Sequence, residues 1–146
     1  MPSWLSNRFI YGMSVVVITG LMSFAFYLEY ILELEPCPLC MAQRIVFVTL
    51  AVIFLLACIH GPAKIGSMVY GLLGALVSLA GLALAWRQLW LQSLPADQAP
   101  ACGPSLEYML EVFPLIDVIS VMLRGSGDCA EVQWVFLGLT IPGWTA

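Results

Sequence analysis

The sequence predicts an all-α membrane protein, a four-helix transmembrane bundle whose fourth helix is truncated in this chain. Hydrophobic residues make up 62% of the 146 residues and charged residues only 10%, whereas soluble domains average about 45–50% apolar and about 25% charged residues. Several long apolar runs lie along the chain, and two of them carry no charge over the length needed to cross a bilayer. A water-soluble enzyme does not fit this composition.

The charge balance excludes a second class of function. Five Lys and Arg residues stand against nine Asp and Glu residues, which gives a net charge of −4. Binding to nucleic acid requires a basic surface that follows the phosphate backbone. We therefore expect no nucleic-acid partner, and we expect the lipid bilayer to surround most of the chain.

Three apolar runs predict the first three spans, at about 9–28, 41–59 and 65–86. The first and third are uncharged, and at ~1.5 Å per residue each covers the ~30 Å hydrocarbon core. The second is shorter. It reaches spanning length only if its helix begins near Pro38 or Leu39 and the Arg44 side chain extends toward the headgroups.

A fourth apolar run, 134–146, predicts the start of a fourth helix. Its thirteen residues are fewer than the roughly 20 that a spanning helix needs. Pro142 and Gly143 interrupt it further. We therefore expect the fourth span to be incomplete in this chain, and the whole of 1–146 to form a single membrane domain.

Two loops, about 29–40 and 87–133, are predicted on the same side of the membrane. They contain all nine acidic residues and four of the five cysteines. Cysteines in extramembrane loops are typical of an oxidising compartment, so we expect these loops to face the periplasm or another extracytoplasmic compartment. In the long loop, the apolar stretch 115–123 predicts a short helix on the membrane surface. A small packed cap of loop helices is the alternative.

The first cysteine pair has the spacing of a reactive thiol pair. Cys37 and Cys40 form a C-x-x-C motif, in which one thiol commonly has a depressed pKa. Pro38 suits the first position of the following helix, which places Cys40 in its first turn. There the helix dipole favours a thiolate, and Arg44 follows one turn later on the same face.

The second cysteine pair is widely spaced. Cys102 lies between prolines and Cys129 follows the glycine-rich stretch 125–128, as expected of accessible thiols that exchange disulfides. A structural zinc site and inert disulfides are the alternatives, although zinc sites usually contain a second closely spaced pair. Cys58 lies within an apolar run and is interpreted as a small hydrophobic residue.

The cysteine motifs resemble those of the DsbB-type disulfide bond formation proteins. The matching segments are Pro36-Cys37-Pro38-Leu39-Cys40 with Gln43-Arg44, and 125–131 with Trp134, 136–139 and Pro142. The resemblance implies a quinone-dependent thiol oxidase of the bacterial inner membrane. Such a protein reoxidises a periplasmic DsbA-like partner of thioredoxin fold and passes the electrons to ubiquinone or menaquinone.

The resemblance also implies a role for each site residue. Cys102 exchanges disulfides with the partner and pairs with Cys129, while Cys37 pairs with Cys40. Cys40 and Arg44 lie beside the quinone. Two alternatives stay open: a four-helix redox enzyme of the vitamin K epoxide reductase type, and a non-enzymatic membrane protein with a zinc or static disulfide clamp.

Overall fold

A computed structural model describes residues 3–33, 36–95, 106–130, 135–136 and 139–140. The chain is built mainly of helices, which confirms the predicted all-α class. The elements are α1 (Ser3–Leu32), α2 (Pro38–His60), α3 (Lys64–Gln92), α4 (Leu106–Val112), α5 (Leu115–Arg124), a 3-10 helix (Gly127–Cys129), β1 (Val135–Phe136) and β2 (Leu139–Thr140).

Three helices are long and apolar enough to cross a membrane: Asn7–Leu32, Pro38–His60 and Lys64–Gln92. The second begins at Pro38, as its predicted spanning length required. The third continues to Gln92, beyond the predicted limit at residue 86. No proline or glycine interrupts the sequence between Trp86 and Gln92, so nothing there breaks the helical hydrogen bonds.

The contacts divide the chain into two compact units, Met1–Glu33 with Arg44–Gly81, and Leu34–Gln43 with Leu82–Ala146. In the first unit, α1, α2 and α3 pack through aromatic and small residues. The Tyr11 ring stacks on the Phe54 ring with 5.9 Å between centroids. A Cβ atom at Gly74 would lie 2.8 Å from Phe54 Cε1, so glycine permits this close approach.

Cys58 contributes to packing in the first unit, as its apolar surroundings predicted. Its half-buried Sγ lies 3.6 Å from the Arg8 carbonyl oxygen. In return, Arg8 Nε donates a hydrogen bond to the Cys58 carbonyl oxygen at 2.9 Å. The last carbonyl groups of a helix have no partner within it. Arg8 supplies a partner for one of them and so connects α1 to the C-terminal end of α2.

The second unit contains α4 and α5, and α5 occurs where the sequence predicts a short helix. Along α5 the side chains of Leu115, Ile116, Ile119 and Leu123 are exposed, whereas Val118 is buried. At the other end of α5, Arg87 Nη2 donates to the Arg124 carbonyl oxygen at 3.2 Å. The helix is therefore fixed at its C-terminus and presents an apolar face outward.

The predicted start of a fourth helix at 134–146 is not what the described residues form. Val135 pairs with Thr140, and Phe136 with Leu139, as two short antiparallel strands. Val135, Phe136 and Thr140 are β-branched or aromatic residues, which favour extended backbone. These local preferences explain the departure from helix at 135–136 and 139–140. The rest of 134–146 lies outside the described residues.

Gly125 connects α5 to the 3-10 helix with a backbone conformation that other residues rarely adopt. Its φ of 77° and ψ of 151° fall in a region almost restricted to glycine. A Cβ atom there would lie 2.6 Å from Leu91 Cδ1 and 3.0 Å from Leu39 Cδ1. Glycine at this position therefore allows the chain to turn and to pack directly on α2 and α3.

We predict that Gly125→Ala lowers the free energy of unfolding by about 1–3 kcal/mol, because it adds both backbone strain and overpacking. Gly71→Ala in α3 is the matched control, since a Cβ atom there has no neighbour within 4 Å. It should be neutral or stabilising by up to about 1 kcal/mol. Unfolding in detergent measures both variants. Equal stabilities would contradict the role assigned to Gly125.

Candidate active site

The first turn of α2 determines where the first cysteine pair lies. Pro38 is the first helical residue, and its missing N–H costs nothing where a helix N–H has no partner. Cys37 precedes it as the N-cap. The Cys40 backbone N–H donates to Cys37 Sγ at 3.4 Å, as a capping side chain accepts from the third helical residue. Cys40 therefore lies in the first turn, as predicted.

The second unit has a small core that encloses this turn. Its fully or nearly fully buried members are Cys37, Leu39, Leu91 and Cys129, and Cys40, Leu84 and Leu94 pack against them. Cys129 enters the core through the 3-10 helix, where its backbone N–H donates to the Ser126 carbonyl oxygen at 3.0 Å. Cysteines 92 positions apart in sequence, Cys37 and Cys129, thus share one apolar environment.

Cys37 lies between two other sulfurs. Its Sγ lies 3.0 Å from Cys40 Sγ and is also in side-chain hydrogen-bond contact with Cys129, so its single S–H proton can be donated to either sulfur but to one at a time. None of the three cysteines is in a disulfide. Disulfide exchange requires a sulfur that two others can reach, and Cys37 contacts both Cys40 and Cys129.

Hydrogen bonding shifts the pKa values of Cys37 and Cys129 in opposite directions. The hydrogen bonds with Cys129 and Cys40, together with burial, raise the pKa of Cys37 above its ordinary value. The hydrogen bond from Cys37 lowers the pKa of Cys129 to about 6, against the opposing effect of burial. Hydrogen bonds from the Leu39 backbone and from Ser126 add to this lowering. At neutral pH, Cys129 is therefore the thiolate and Cys37 the thiol.

Two buried glutamines contact the sulfurs or each other. Gln88 Nε2, on α3, lies 3.2 Å from Cys40 Sγ and 3.4 Å from Cys37 Sγ. Gln43 Nε2, on α2, donates to Gln88 Oε1 at 3.1 Å. Their exposed fractions are 6% for Gln43 and 3% for Gln88. A buried amide is costly without hydrogen bonds, and these contacts satisfy the polar atoms involved.

Arg44 is held by residues of α1 within the first unit. It forms an ion pair with Glu29, and its Nη2 lies 3.5 Å from the Ala25 carbonyl oxygen. Its guanidinium carbon lies 5.1 Å from the centroid of the Phe26 ring, within the range of a cation–π interaction. The side chains of Arg44 and Glu29 are only 16% and 22% exposed.

The structure thus brings together three of the five predicted site residues, Cys37, Cys40 and Cys129. Arg44 lies on α2 four positions after Cys40, and Cys102 lies outside the described residues. Three polar residues of this region, Glu29, Gln43 and Gln88, were not predicted as site residues. Their positions in or beside predicted membrane spans could have indicated them, because a polar side chain there is costly and usually functional.

Comparisons with known proteins show the family to which the chain is similar. A sequence profile described as Disulfide bond formation protein DsbB matches residues 7–146. Proteins named Disulfide bond formation protein B include one from Hahella chejuensis, 63% identical over 99% of this chain and 88% of its own length. Another, from Marinobacter nauticus, is 57% identical over 97% of this chain and 84% of its own length.

A third protein of that name, from Nitrosococcus oceani, is 48% identical over 97% of this chain and 83% of its own length. The match to the family profile covers nearly all of the chain, including every cysteine. The chain therefore belongs to the DsbB family, and it is a membrane thiol-disulfide oxidoreductase of disulfide bond formation.

Proposed function

We propose that this protein reoxidises a DsbA-like dithiol oxidase of the periplasm and passes the electrons through two cysteine pairs to a membrane quinone. Cys102 exchanges disulfides with the partner, and Cys129 is its disulfide mate. Cys37 and Cys40 form the second pair. The observation that carries the proposal is the position of Cys37 between Cys40 and Cys129 in one buried cluster.

The transfer between the pairs is a balanced disulfide exchange. The Cys129 thiolate attacks Cys37 Sγ of the Cys37–Cys40 disulfide, so that a Cys129–Cys37 bond forms and the Cys37–Cys40 bond breaks. The bonding electron pair leaves on Cys40 Sγ. The contact between Cys129 and Cys37 supports this step, because a thiolate is the attacking species and must reach the disulfide sulfur.

The residues around Arg44 fit a quinone head group. Arg44 is a largely buried cation that lies over an aromatic ring, and its guanidinium can donate hydrogen bonds to a carbonyl oxygen. Arg44 and Cys40 would hold ubiquinone or menaquinone. A bound quinone supplies an acceptor for two electrons and two protons, the number that two thiols release when they form a disulfide.

The proposed location is the bacterial inner membrane, with the cysteine loops in the periplasm. A thioredoxin-fold partner that is as oxidising as DsbA, at about −120 mV, can be reoxidised only by a stronger acceptor. A quinone dissolved in the membrane meets this requirement. The exposed apolar face of α5 supports a position for this helix on the membrane surface.

Two other functions make different predictions. An enzyme of the vitamin K epoxide reductase type would pass the electrons of its dithiols to an epoxide. A zinc or static disulfide clamp would show no turnover. Metal analysis of the purified protein identifies a clamp that binds zinc, and a test for reduction of an epoxide distinguishes the two enzymes.

Turnover in detergent tests the proposal. A reduced thioredoxin-fold partner of the DsbA type should reduce ubiquinone when the protein is added, and Cys40→Ser should abolish this reaction. Cys58→Ser is the control and should keep full activity, because Cys58 contacts Arg8 and lies outside the cysteine cluster. Loss of activity in Cys58→Ser as large as that in Cys40→Ser would contradict the assignment.

The acidity of Cys129 predicts a specific pH dependence. In the reduced protein, the thiolate absorbance that is lost in Cys129→Ser should titrate with a midpoint at about pH 6, below the ordinary cysteine value of about 8.5. The Cys129 thiolate should therefore be present at pH 7 and disappear as the pH falls through 6. Cys37→Ala should move the midpoint upward, because it removes the largest stabilising hydrogen bond. An unchanged midpoint would exclude that cause.

The proposed role of Arg44 predicts selective loss of quinone binding. Arg44→Lys keeps the charge but loses the planar guanidinium, so it should weaken equilibrium binding of a short-chain ubiquinone while disulfide exchange with the partner continues. Arg44→Ala should weaken binding further. Arg8→Lys is the matched control, since Arg8 contacts the end of α2 at Cys58. Equal quinone affinity in the wild type and the three variants would contradict a role in quinone binding and would indicate that Arg44 only anchors the helix in the membrane.

A further inference from the structure

Gln88 contacts two of the cysteine sulfurs directly, and the proposed disulfide exchange does not use it. Its side-chain nitrogen lies 3.2 Å from Cys40 Sγ, and it is 97% buried on α3 since its exposed fraction is 3%. A primary amide has two N–H groups to donate and one oxygen to accept hydrogen bonds. The effect of Gln88 on a thiolate therefore depends on whether its nitrogen or its oxygen faces the sulfurs.

Gln43 determines that orientation. Gln43 Nε2 donates a hydrogen bond to Gln88 Oε1 at 3.1 Å. This bond holds the Gln88 oxygen away from the sulfurs, so the N–H groups of Gln88 face them. The two glutamines come from different helices, α2 and α3, so the contact also fixes the distance between Gln88 and the first turn of α2. Gln43 thus acts on the sulfurs through Gln88.

We propose that the Gln88 amide stabilises the Cys40 thiolate released during disulfide exchange, and that Gln43 orients this amide. The inference rests on the proposed function, in which Cys40 is the leaving group. When the Cys129 thiolate bonds to Cys37, the electron pair of the Cys37–Cys40 bond moves to Cys40 Sγ. The negative charge moves from Cys129 to Cys40, and the Gln88 N–H donates to it.

The contact affects the two disulfide states differently. In one state Cys37 is bonded to Cys40 and Cys129 is the thiolate. In the other, Cys37 is bonded to Cys129 and Cys40 is the thiolate. Cys37 is part of a disulfide in both states. Its 3.4 Å contact with Gln88 therefore contributes about equally to the free energies of the two states. A hydrogen bond to an ionised acceptor is stronger than one to a neutral acceptor, so Gln88 favours the second state.

An internal equilibrium measures this effect without partner or added quinone. In Cys58→Ser/Cys102→Ser protein, three cysteines hold one disulfide and one thiol, and the two states above are those in which Cys37 is part of the disulfide. Acid quenching, alkylation of the free thiol and peptide mapping give the ratio of alkylated Cys40 to alkylated Cys129 at neutral pH. This ratio is the equilibrium constant for transfer of the disulfide from Cys37–Cys40 to Cys37–Cys129.

Gln88→Met in that background should lower the ratio by about tenfold, as expected for loss of one hydrogen bond to a charged sulfur. Methionine keeps the length of the side chain and removes the donor. Gln92→Met, one turn further along α3, is the matched control. Gln92 accepts a hydrogen bond from Thr140 Oγ1 at 2.9 Å, so its substitution should leave the ratio unchanged.

Gln43→Met should lower the ratio by less than Gln88→Met, and the double variant should match Gln88→Met alone, because Gln43 acts through Gln88. A ratio that stays constant in Gln88→Met while its melting temperature falls would assign the amide to packing and overturn the proposal. If Gln88→Met does not fold, Gln43→Met decides the matter, and an unchanged ratio there overturns the proposal.

The outcomes separate this inference from the proposed function. If the wild-type protein fails to couple a dithiol partner to quinone but the ratio still falls in Gln88→Met, the proposed function is wrong and the role of Gln88 stands. If the wild-type protein turns over and the ratio does not change in Gln88→Met, the role of Gln88 is wrong and the proposed function stands.

Discussion

The site depends on the unpaired backbone N–H groups at the start of α2. These groups lack partners within the helix, and their burial without acceptors would be costly. Cysteine sulfurs supply the acceptors: Cys37 Sγ accepts from the Cys40 backbone N–H, and Cys129 forms a hydrogen bond with the Leu39 backbone. The contacts that complete the helix are therefore also the contacts that hold the reactive sulfurs together. Gly125 makes this possible, since it allows the chain that carries Cys129 to approach Leu39 closely.

The acidities of the sulfurs follow from the same arrangement. One proton on Cys37 lies between sulfurs, and its hydrogen bonds raise the pKa of Cys37 while lowering that of Cys129. The positive end of the helix dipole adds a general preference for negative charge in this turn. Once Cys37 forms a disulfide with Cys40, the same arrangement would leave Cys129 beside the disulfide sulfur that it can attack. Gln88 and Gln43 add fixed amide dipoles to a core that is otherwise apolar. The hydrogen bond between them replaces one that each would form with water, which reduces the cost of burying them.

Arg44 illustrates how a charge is kept in an apolar helix. An unpaired cation within a membrane span is expensive, and here Glu29 supplies the opposite charge while the Phe26 ring covers the guanidinium. Both partners come from α1, so a neighbouring helix orients the Arg44 side chain. A fixed guanidinium is better suited than a mobile one to recognise a single oxygen atom, because less conformational entropy is lost on binding.

The sequence by itself determined the all-α membrane class, the three spanning helices and the start of α2 at Pro38, because apolar length and proline position are local properties. Its prediction of a fourth helix was wrong at 135–136 and 139–140, where local preferences for extended backbone outweigh apolar composition. The sequence also singled out Cys37, Cys40 and Arg44 through their spacing. Only the tertiary structure decided that Cys37 contacts both Cys40 and Cys129. It also decided that Gln88 contacts Cys40 and Gln43, and that Glu29 pairs with Arg44. Such contacts join residues far apart in the chain or on different helices, and they depend on packing geometry that no local pattern contains.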